Sequence, residues 1–354
     1  VDARLFNRWN ISAEYFDKRN KDLLFDVYLP LSAGATSSSS AEATITENMG
    51  TISNRGFEIN TDVDIFKNKD WTVNFSANAS FIKNKIVELP EQDKDGIISG
   101  IYKIAEGKSR YEFFTYTYVG VDQMTGNSLY KANLENYHVT TADGQTVGNA
   151  DGNDISKYVT QIGNEYYVNN TSYALKEYHG SAIPKVYGSF APSVRYKDLS
   201  LSLMFTYSIG GKVYDAVYRS LMSTGTSPNN YHKDILKSWS EISSGMTEDS
   251  QDRIWYGGIP QINSSMTSTN NATSSRWLTD ASYLVLKNIN MSYSLPKAWV
   301  NALTLESIRL NLSCENAFTC TKRRGMNPQQ SFNGYQYNYL VTPRVFTIGV
   351  DVKF

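Results

Sequence analysis

Segments in which apolar and polar residues alternate recur along the chain. In residues 346–354, Phe, Ile, Val, Val and Phe alternate with Thr, Gly, Asp and Lys, and the final residue is aromatic. A period of two residues is typical of a strand with one apolar and one polar face. The same alternation recurs in residues 57–65, 71–81, 199–209 and 308–315. The pattern therefore predicts an all-β protein.

About ten strands are predicted from this alternation and from the turn residues between the segments. Their predicted ranges are 8–19, 51–65, 70–84, 110–121, 127–134, 184–196, 199–213, 281–294, 305–318 and 344–354. The predicted connections are short at 66–69, 122–126, 197–198 and 295–304, and long at 20–50, 85–109, 135–183, 214–280 and 319–343. Short and long connections alternate, which is typical of outer-membrane barrels with short periplasmic turns and long external loops. A Greek-key sandwich, the alternative, mixes loop lengths at both ends.

The barrel interpretation orients the strands. The last strand is predicted to run from the outside to the periplasm, so that its even-numbered residues face lipid and Phe354 lies at the inner rim. Aromatic side chains near strand ends agree with this orientation, because amphipathic rings settle at membrane interfaces. The candidates are Trp9, Trp71, Tyr196, Tyr207, Tyr283, Tyr293 and Phe354.

Composition excludes several other classes. Mean hydropathy is −0.41, and no run approaches the ~18 apolar residues of a membrane-spanning helix. A net charge of −1 gives no field that attracts nucleic acid. Cys314 and Cys320 are too few for a disulfide framework or a thiolate metal site. The chain starts without a signal peptide and almost directly in a strand, so we expect it to be a segment of a longer chain.

Four stretches closely resemble the C-terminal part of SusC/RagA-family TonB-linked outer-membrane proteins of Bacteroidetes. They are "NRWNISAEYFDKRNKDLLF", "ENMGTISNRGFEINTDVDIFKNKDWTVNFSANASFIKNKI", "SRWLTDASYLVLKNINMSYSLP" and "PRVFTIGVDVKF". The most specific elements are residues 48–58, with the pattern NxGxxxNRGFE, and residues 283–296, with YLxLKNIxxSYSLP. Where relatives often carry "TKYKGxDPE", this chain has "TKRRGMNPQQ" at 321–330, which puts any function of that acidic residue in doubt.

The resemblance implies a transmembrane antiparallel β-barrel of ~22 strands with a plugged lumen. Residues 1–354 would form the C-terminal portion of that one barrel domain, with the plug and the TonB box in the missing N-terminal part. The resemblance also implies TonB-dependent import of nutrient oligomers across the outer membrane, oligosaccharides first and oligopeptides second. Its implied partners are a SusD-like surface lipoprotein and the TonB–ExbB–ExbD complex. Phe354 would be read by the barrel-assembly machinery.

Two other functions stay open at this point. A passive porin or an adhesin-like barrel would have the same strands. An outer-membrane enzyme would need a paired nucleophile and base, and neither a GxSxG elbow nor helical His spacing is present. His138, His179 and His232 are all predicted in loops, and no enzymatic activity is predicted.

The long loops contain the candidate binding residues. Trp255, Tyr256 and Trp277 are expected either to stack on sugar rings or peptide side chains, or to pack the loop against its neighbours. Asn149 to Tyr158 places oxygen ligands at alternate positions, which suits Ca²⁺, but the spacing lacks the Glu of an EF-hand and favours an Asx-rich turn. No other cofactor is predicted. The Ser-rich stretch at 34–44 is expected to be a flexible loop tip.

Overall fold

The computed structural model describes residues 1–28, 44–48, 50–223, 230–248, 250, 252–322, 325–327, 329, 333–337 and 342–354. Most of the predicted flexible tip at 34–44 lies outside these residues, as do several positions of the 321–330 stretch. The described residues form mainly strands, which agrees with the predicted all-β class.

The strands and helices follow one another closely along the chain. In chain order, the strands of the described residues are β1 (Asp2–Leu5), β2 (Trp9–Asn20), β3 (Leu24–Tyr28), β4 (Thr44–Asn48), β5 (Thr51–Lys67), β6 (Trp71–Glu88), β7 (Ile97–Ser99), β8 (Tyr102–Ile104), β9 (Glu112–Tyr116), β10 (Tyr118–Asp122), β11 (Ser128–Lys131), β12 (Tyr137–Thr140), β13 (Thr146–Gly148), β14 (Asn153–Asp154), β15 (Val159–Ile162), β16 (Glu165–Val168), β17 (Lys176–Ser181), β18 (Val186–Tyr196), β19 (Leu199–Ile209), β20 (Lys212–Asp215), β21 (Ile254–Trp255), β22 (Leu278–Asp280), β23 (Tyr283–Ser294), β24 (Ser307–Thr321), β25 (Tyr335–Gln336) and β26 (Val345–Lys353). The α-helices are α1 (Ala216–Leu221), α2 (Thr267–Asn270) and α3 (Lys297–Ala302). Short 3₁₀ helices occur at Glu91–Asp93, Ser156–Tyr158, Thr171–Tyr173, Lys233–Lys237, Ser264–Met266 and Ser275–Trp277. Across the described ranges, no helix is both long enough and apolar enough to cross a membrane.

The largest sheet of the described residues has nine strands in the order β1-β2-β5-β6-β18-β19-β23-β24-β26, and we call it the wall. All its neighbouring strands are antiparallel. Eight of the predicted strands are wall strands, and β1 is an addition. The predicted strands 110–121 and 127–134 are wrong as wall strands, because their residues form β9, β10 and β11 in other sheets. Short turns and long connections still alternate around the wall, because the three predicted connections beside these strands, 85–109, 122–126 and 135–183, become parts of one long connection between β6 and β18.

The register of the wall separates its residues into an apolar and a polar face. One row across five neighbouring pairings consists of Asn74, Ser193, Ser202, Asn290, Ser313 and Thr347. The adjacent row consists of Val73, Val194, Leu201, Met291, Leu312 and Ile348. Because a slip of one residue would exchange the two faces of a strand, this pattern fixes the register.

Two belts of aromatic side chains delimit the apolar face. Trp71 and Tyr196 lie side by side at one end, with their ring centroids 4.3 Å apart, and Tyr293 lies in the same row on the far side of Leu199. Tyr15, Phe57 and Phe81 lie side by side at the other end. Along β6, Trp71 and Phe81 are separated by about 33 Å of strand, which corresponds to about 25 Å of height at a tilt of ~40°. This height matches the apolar band of an outer-membrane barrel.

A double bulge moves one predicted belt residue to the other face. The ladder between β23 and β24 shifts between Leu286 and Asn288, and the Lys287 Nζ donates a hydrogen bond of 2.9 Å to the Asn316 Oδ1 at this point. Asn316 has a φ of 52°, as expected at an irregular position. The extra residue reverses the alternation, so Tyr283 lies on the polar face with Ser208. Its prediction as a lipid-interface residue is wrong.

The long connections fold into a separate structure, which we call the loop domain: residues 89–185, 210–282 and 333–337, as far as they are described. It contains a five-stranded sheet, β15-β16-β11-β10-β21, and a four-stranded sheet, β17-β9-β8-β7. Its main core cluster comprises Ile101, Tyr102, Phe113, Ala182, Tyr214, Met222 and Trp277. β20 also pairs in parallel with β25. Three connections far apart in sequence therefore share one core.

Candidate binding site in the loop domain

The structure separates the three aromatic residues singled out from the sequence. Trp277 is only 1% exposed, and its indole Nε1 donates a hydrogen bond of 2.8 Å to the Ala272 carbonyl. It packs within the core of the loop domain, the second of the two roles that the sequence allowed. Tyr256 is 70% exposed and Trp255 is 37% exposed. Gly258 lies directly beneath the Trp255 ring, where an added Cβ would stand 2.4 Å from it.

The other predicted positions lie at separate places. Phe354 is 91% exposed and follows β26, whose apolar face is exposed as well. In the stretch from Asn149 to Tyr158, the side chains of Asn149 and Asp154 accept hydrogen bonds of 3.1 and 2.8 Å from the backbone N–H groups two residues on. These are Asx turns. Over the described ranges, no group of three or more His, Cys, Asp or Glu side chains is arranged to hold a metal ion.

A second set of aromatic residues lies on one face of the four-stranded sheet. In β9, Phe113 and Thr115 are buried in the core at 0% and 1% exposure, so Phe114 and Tyr116 project from the opposite face. Tyr178 of β17 is directly opposite Phe114, and the two ring centroids are 5.0 Å apart. The two-residue period of the strand "EFFTY" in residues 112–116 therefore places Phe114 and Tyr116 on one face, which forms an aromatic surface on the sheet.

Lysine side chains lie over these rings. The Nζ atoms of Lys103, Lys108 and Lys176 are 5.2, 4.6 and 4.9 Å from the ring centroids of Phe114, Tyr178 and Tyr116. Each distance is within the range of a cation–π contact. Elsewhere in the loop domain, Lys94 and Lys131 form ion pairs with carboxylates at 2.8 and 3.4 Å. Among the described residues, Lys103, Lys108 and Lys176 have no carboxylate within 4 Å, so their charges are available to a ligand.

Two adjoining cavities meet at this surface, and both are lined by Phe114, Tyr116 and Lys176. The first has a volume of about 450 Å³ and is also lined by Tyr102, Thr273, Asn333, Tyr335 and Tyr337. The second has a volume of about 340 Å³ and is also lined by Lys103, Asn133, Asn136, Tyr137, Thr171 and Ser172. We call the two together the aromatic groove. Flat rings beside amides, hydroxyls and ammonium groups form a mixed lining that suits a polar oligomer.

Alternate residues of β17 hold the sheet in place. The Thr117 hydroxyl donates a hydrogen bond of 2.7 Å to Glu177 and holds the pKa of that carboxyl below its ordinary value. Lys131, at 3.4 Å from Glu177, acts in the same direction. The His179 Nε2 lies 3.1 Å from the Thr115 carbonyl, and burial lowers the pKa of His179. A neutral His179 with its proton on Nε2 therefore ties β17 to β9.

Sequence reasoning did not identify the aromatic groove. The signal was present in the aromatic residues of 112–116 and in the lysines at 103, 108 and 176, but residues 110–121 are predicted from the sequence as a strand of the barrel. The groove is assembled from three connections, and no local pattern brings Tyr116 next to Tyr337.

Comparisons with known proteins agree on one class. No model of a known protein family matches the chain. TonB-dependent receptor P3 of Formosa agariphila is 26% identical over 374 residues, which cover 100% of this chain and 33% of the receptor. TonB-dependent receptor P39 of the same organism is 25% identical over 364 residues, covering 94% of this chain and 32% of that receptor. The chain thus spans about a third of the length of these relatives.

Solved structures show the same likeness. The RagAB peptide transporter matches with a TM-score of 0.67 and 23% identity, over 98% of this chain and 34% of the transporter chain. The RagAB peptide importer in its "closed-closed" state matches with a TM-score of 0.67 and 22% identity, over 100% of this chain. The predicted fold class, an all-β barrel like that of these transporter chains, is confirmed. So is the predicted resemblance to SusC/RagA-type proteins; the relatives are named as receptors and transporters.

Proposed function

We propose that the protein forms the C-terminal part of an outer-membrane barrel that imports nutrient oligomers with energy transmitted by TonB. The observation that carries this proposal is the combination of two features in one chain. A wall with an apolar band of about 25 Å is suited to span a bilayer, and an ordered loop domain with an aromatic groove is attached to its long connections. The similarity to TonB-dependent receptors over the whole chain supports it.

Each part of the chain has a role in this proposal. The polar face of the wall, rich in Asn, Ser and Thr, lines the lumen and faces a plug. The loop domain contacts cargo and a SusD-like lipoprotein lid on the cell surface. The plug, the TonB box and the contact with the TonB–ExbB–ExbD complex belong to a remaining N-terminal part of the same transporter. The chain itself performs no catalysis.

The aromatic groove is the proposed cargo contact, with Trp255 and Tyr256 as a second exposed pair. Oligosaccharides are the first choice of cargo, because sugar rings stack on aromatic faces and their hydroxyls pair with amides such as those of Asn133 and Asn136. Oligopeptides are the second choice, since RagAB is described as a peptide transporter.

The first test is purification of the full-length protein from outer membranes in mild detergent, followed by mass spectrometry of everything bound to it. We expect a plug-bearing chain, a surface lipoprotein and an oligosaccharide. Bound peptide would replace the first choice of cargo with the second. Recovery of this polypeptide from the soluble fraction would contradict the proposal, as would cargo uptake that persists in cells lacking TonB, which would indicate a passive porin.

A matched pair of variants tests the groove. Tyr116→Ala combined with Lys176→Gln removes one ring and one charge shared by both cavities, and we expect at least a tenfold loss of bound cargo. Tyr158→Ala is the control, because Tyr158 is also an exposed tyrosine of the loop domain, stacked on Tyr173 with centroids 4.7 Å apart. Equal cargo recovery from the two variants would place the cargo contact elsewhere.

A further inference from the structure

Basic side chains cluster on the apolar face of the wall just beyond the belt of Tyr15, Phe57 and Phe81. The next row on that face consists of Asp17, Arg55 and Lys83, and the row after it consists of Arg19, Ser53 and Lys85. Two residues of strand rise about 6.6 Å, or about 5 Å in height at a tilt of ~40°. The cluster therefore lies within about 10 Å of the belt, at the height of lipid headgroups.

The charges of this cluster, which we call the basic patch, are unbalanced. It contains Arg19, Arg55, Lys83, Lys85 and a single acid, Asp17. Asp17 lies 3.1 Å from Arg55 and 3.6 Å from Arg19. The two guanidinium groups keep about half of their side-chain surface exposed, at 48% and 49%. Within the described part of the chain, neither lysine has a carboxylate within 4 Å.

The patch is local to this side of the wall. On β19, the residues of the same face at the corresponding end are Tyr207 and Ile209, which carry no charge. At the opposite end of the hairpin formed by β5 and β6, Lys67 lies 3.8 Å from Asp64. Four cations and one anion in two adjacent rows are thus a distinct feature of β2, β5 and β6.

We propose that the basic patch binds the phosphate groups of a phosphorylated lipid in the outer leaflet. Arg55 offers a planar fork of donors that suits phosphate, and Lys83 and Lys85 add point charges. Directly below them, Tyr15, Phe57 and Phe81 are 67%, 40% and 43% exposed and offer an apolar surface to acyl chains. A lipid matches both halves of this surface, whereas free phosphate matches only one. The proposal rests on the membrane placement of the wall in the proposed function, but not on the cargo.

The test uses the full-length transporter in micelles of a neutral detergent, titrated with diphosphoryl lipid A, with the bound lipid counted by native mass spectrometry. The variant Arg19→Gln, Lys83→Gln, Lys85→Gln keeps the Arg55–Asp17 pair, and we expect it to bind the lipid at least tenfold more weakly. Asp17→Asn removes the only acid, and we expect it to bind more tightly. Lys67→Gln with Lys69→Gln, in the turn region at the other end of the hairpin, is the control without effect.

Three results would overturn the proposal: equal binding by the triple variant and the control, weaker binding by Asp17→Asn, or displacement of the lipid by an equimolar amount of inorganic phosphate. The last result would indicate a phosphate site without a lipid. TonB-dependent cargo uptake by the triple variant is measured in parallel. If the transporter takes up cargo in a TonB-dependent way but the triple variant binds the lipid as well as the unaltered protein does, this inference alone is refuted. If lipid binding depends on the patch but no TonB-dependent uptake is found, the proposed function alone is refuted.

Discussion

Arg253 binds Asp122 through two hydrogen bonds, of 2.9 Å from Nε to Oδ1 and 3.1 Å from Nη2 to Oδ2. The side chains are only 9% and 2% exposed. Asp122 ends β10 in the connection that follows β6, and Arg253 precedes β21 in the connection that follows β19. The pair therefore joins two long connections inside the loop domain, next to the pairing of Val121 with Trp255.

Replacing Arg253 by Met is expected to destabilise the loop domain by about 3–5 kcal/mol, because it leaves a buried carboxylate without its partner. Hydrogen exchange of residues 118–122 and 128–131 in the full-length protein measures the effect, and the wall strands should keep their protection. Lys94→Met, which breaks the exposed pair with Glu106 at 2.8 Å, should leave exchange unchanged. Equal exchange in both variants would contradict a structural role for the Arg253–Asp122 pair.

Gly188→Ala is expected to destabilise the wall by about 1–3 kcal/mol through overpacking. An added Cβ would lie 2.1 Å from the Asn78 carbonyl oxygen and 2.9 Å from the Tyr207 hydroxyl, which itself donates a hydrogen bond of 3.0 Å to that carbonyl. Gly349→Ala is the control, since its nearest neighbour would be the Asn311 Cβ at 3.8 Å. Urea unfolding in liposomes measures both, and the prediction fails if Gly349→Ala has the larger effect.

A charge on the apolar face tests which side of the wall meets lipid. Leu203 pairs with Ile289, and its neighbour Ser202 pairs with Asn290 on the polar face. Leu203→Arg is expected to cost about 2–4 kcal/mol near the middle of the bilayer, whereas Ser202→Arg should cost less. The readout is the free energy of unfolding in liposomes. The opposite order would mean that the faces are assigned the wrong way round.

The burial of His179 predicts a pH dependence of the loop domain. Because burial lowers the pKa of His179, the folded state binds fewer protons than the unfolded state below about pH 6.5. Its contribution to stability is therefore fully present above that pH and is lost as the pH falls through the lowered pKa. Hydrogen exchange of β9 and β17, corrected for intrinsic rates, should increase between pH 7 and pH 5. His179→Gln should flatten this change and His138→Gln should not.

The wall could be predicted from the sequence because one physical requirement dominates it. A strand between lipid and lumen must alternate along its whole length, so β18 and β19 were placed within a few residues of their observed ends. Alternation indicates two different faces, but it does not identify what covers them. Residues 114–118 alternate Phe, Thr, Tyr, Thr and Tyr as a wall strand does, yet they lie in the loop domain, where the neighbouring Phe113 is buried in the core.

Two other differences between the sequence-based prediction and the structure have equally specific causes. The extra residue Lys287 in the double bulge is enough to reverse the face of Tyr283, and no turn residue in the sequence marks it. Trp277 follows a Ser-rich stretch typical of an exposed loop, but contacts with Tyr218 and residues far away in sequence bury it. The aromatic groove depends on the same distant contacts, so its residues could be recognised only in the folded chain.

The shared core of the loop domain has a consequence for the order of folding. Each wall strand pairs with the wall strand that precedes or follows it in the sequence. Several of these pairs are joined by short turns, which close at little entropic cost. The loop domain instead needs residues from both sides of the β18–β19 hairpin, and it includes contacts across more than a hundred residues, such as the hydrogen bond from the Tyr102 hydroxyl to the Asn333 carbonyl. Such distant contacts form slowly. We therefore expect the long connections to cross the membrane as extended chain and to fold on the far side, after the hairpin between them has joined the wall.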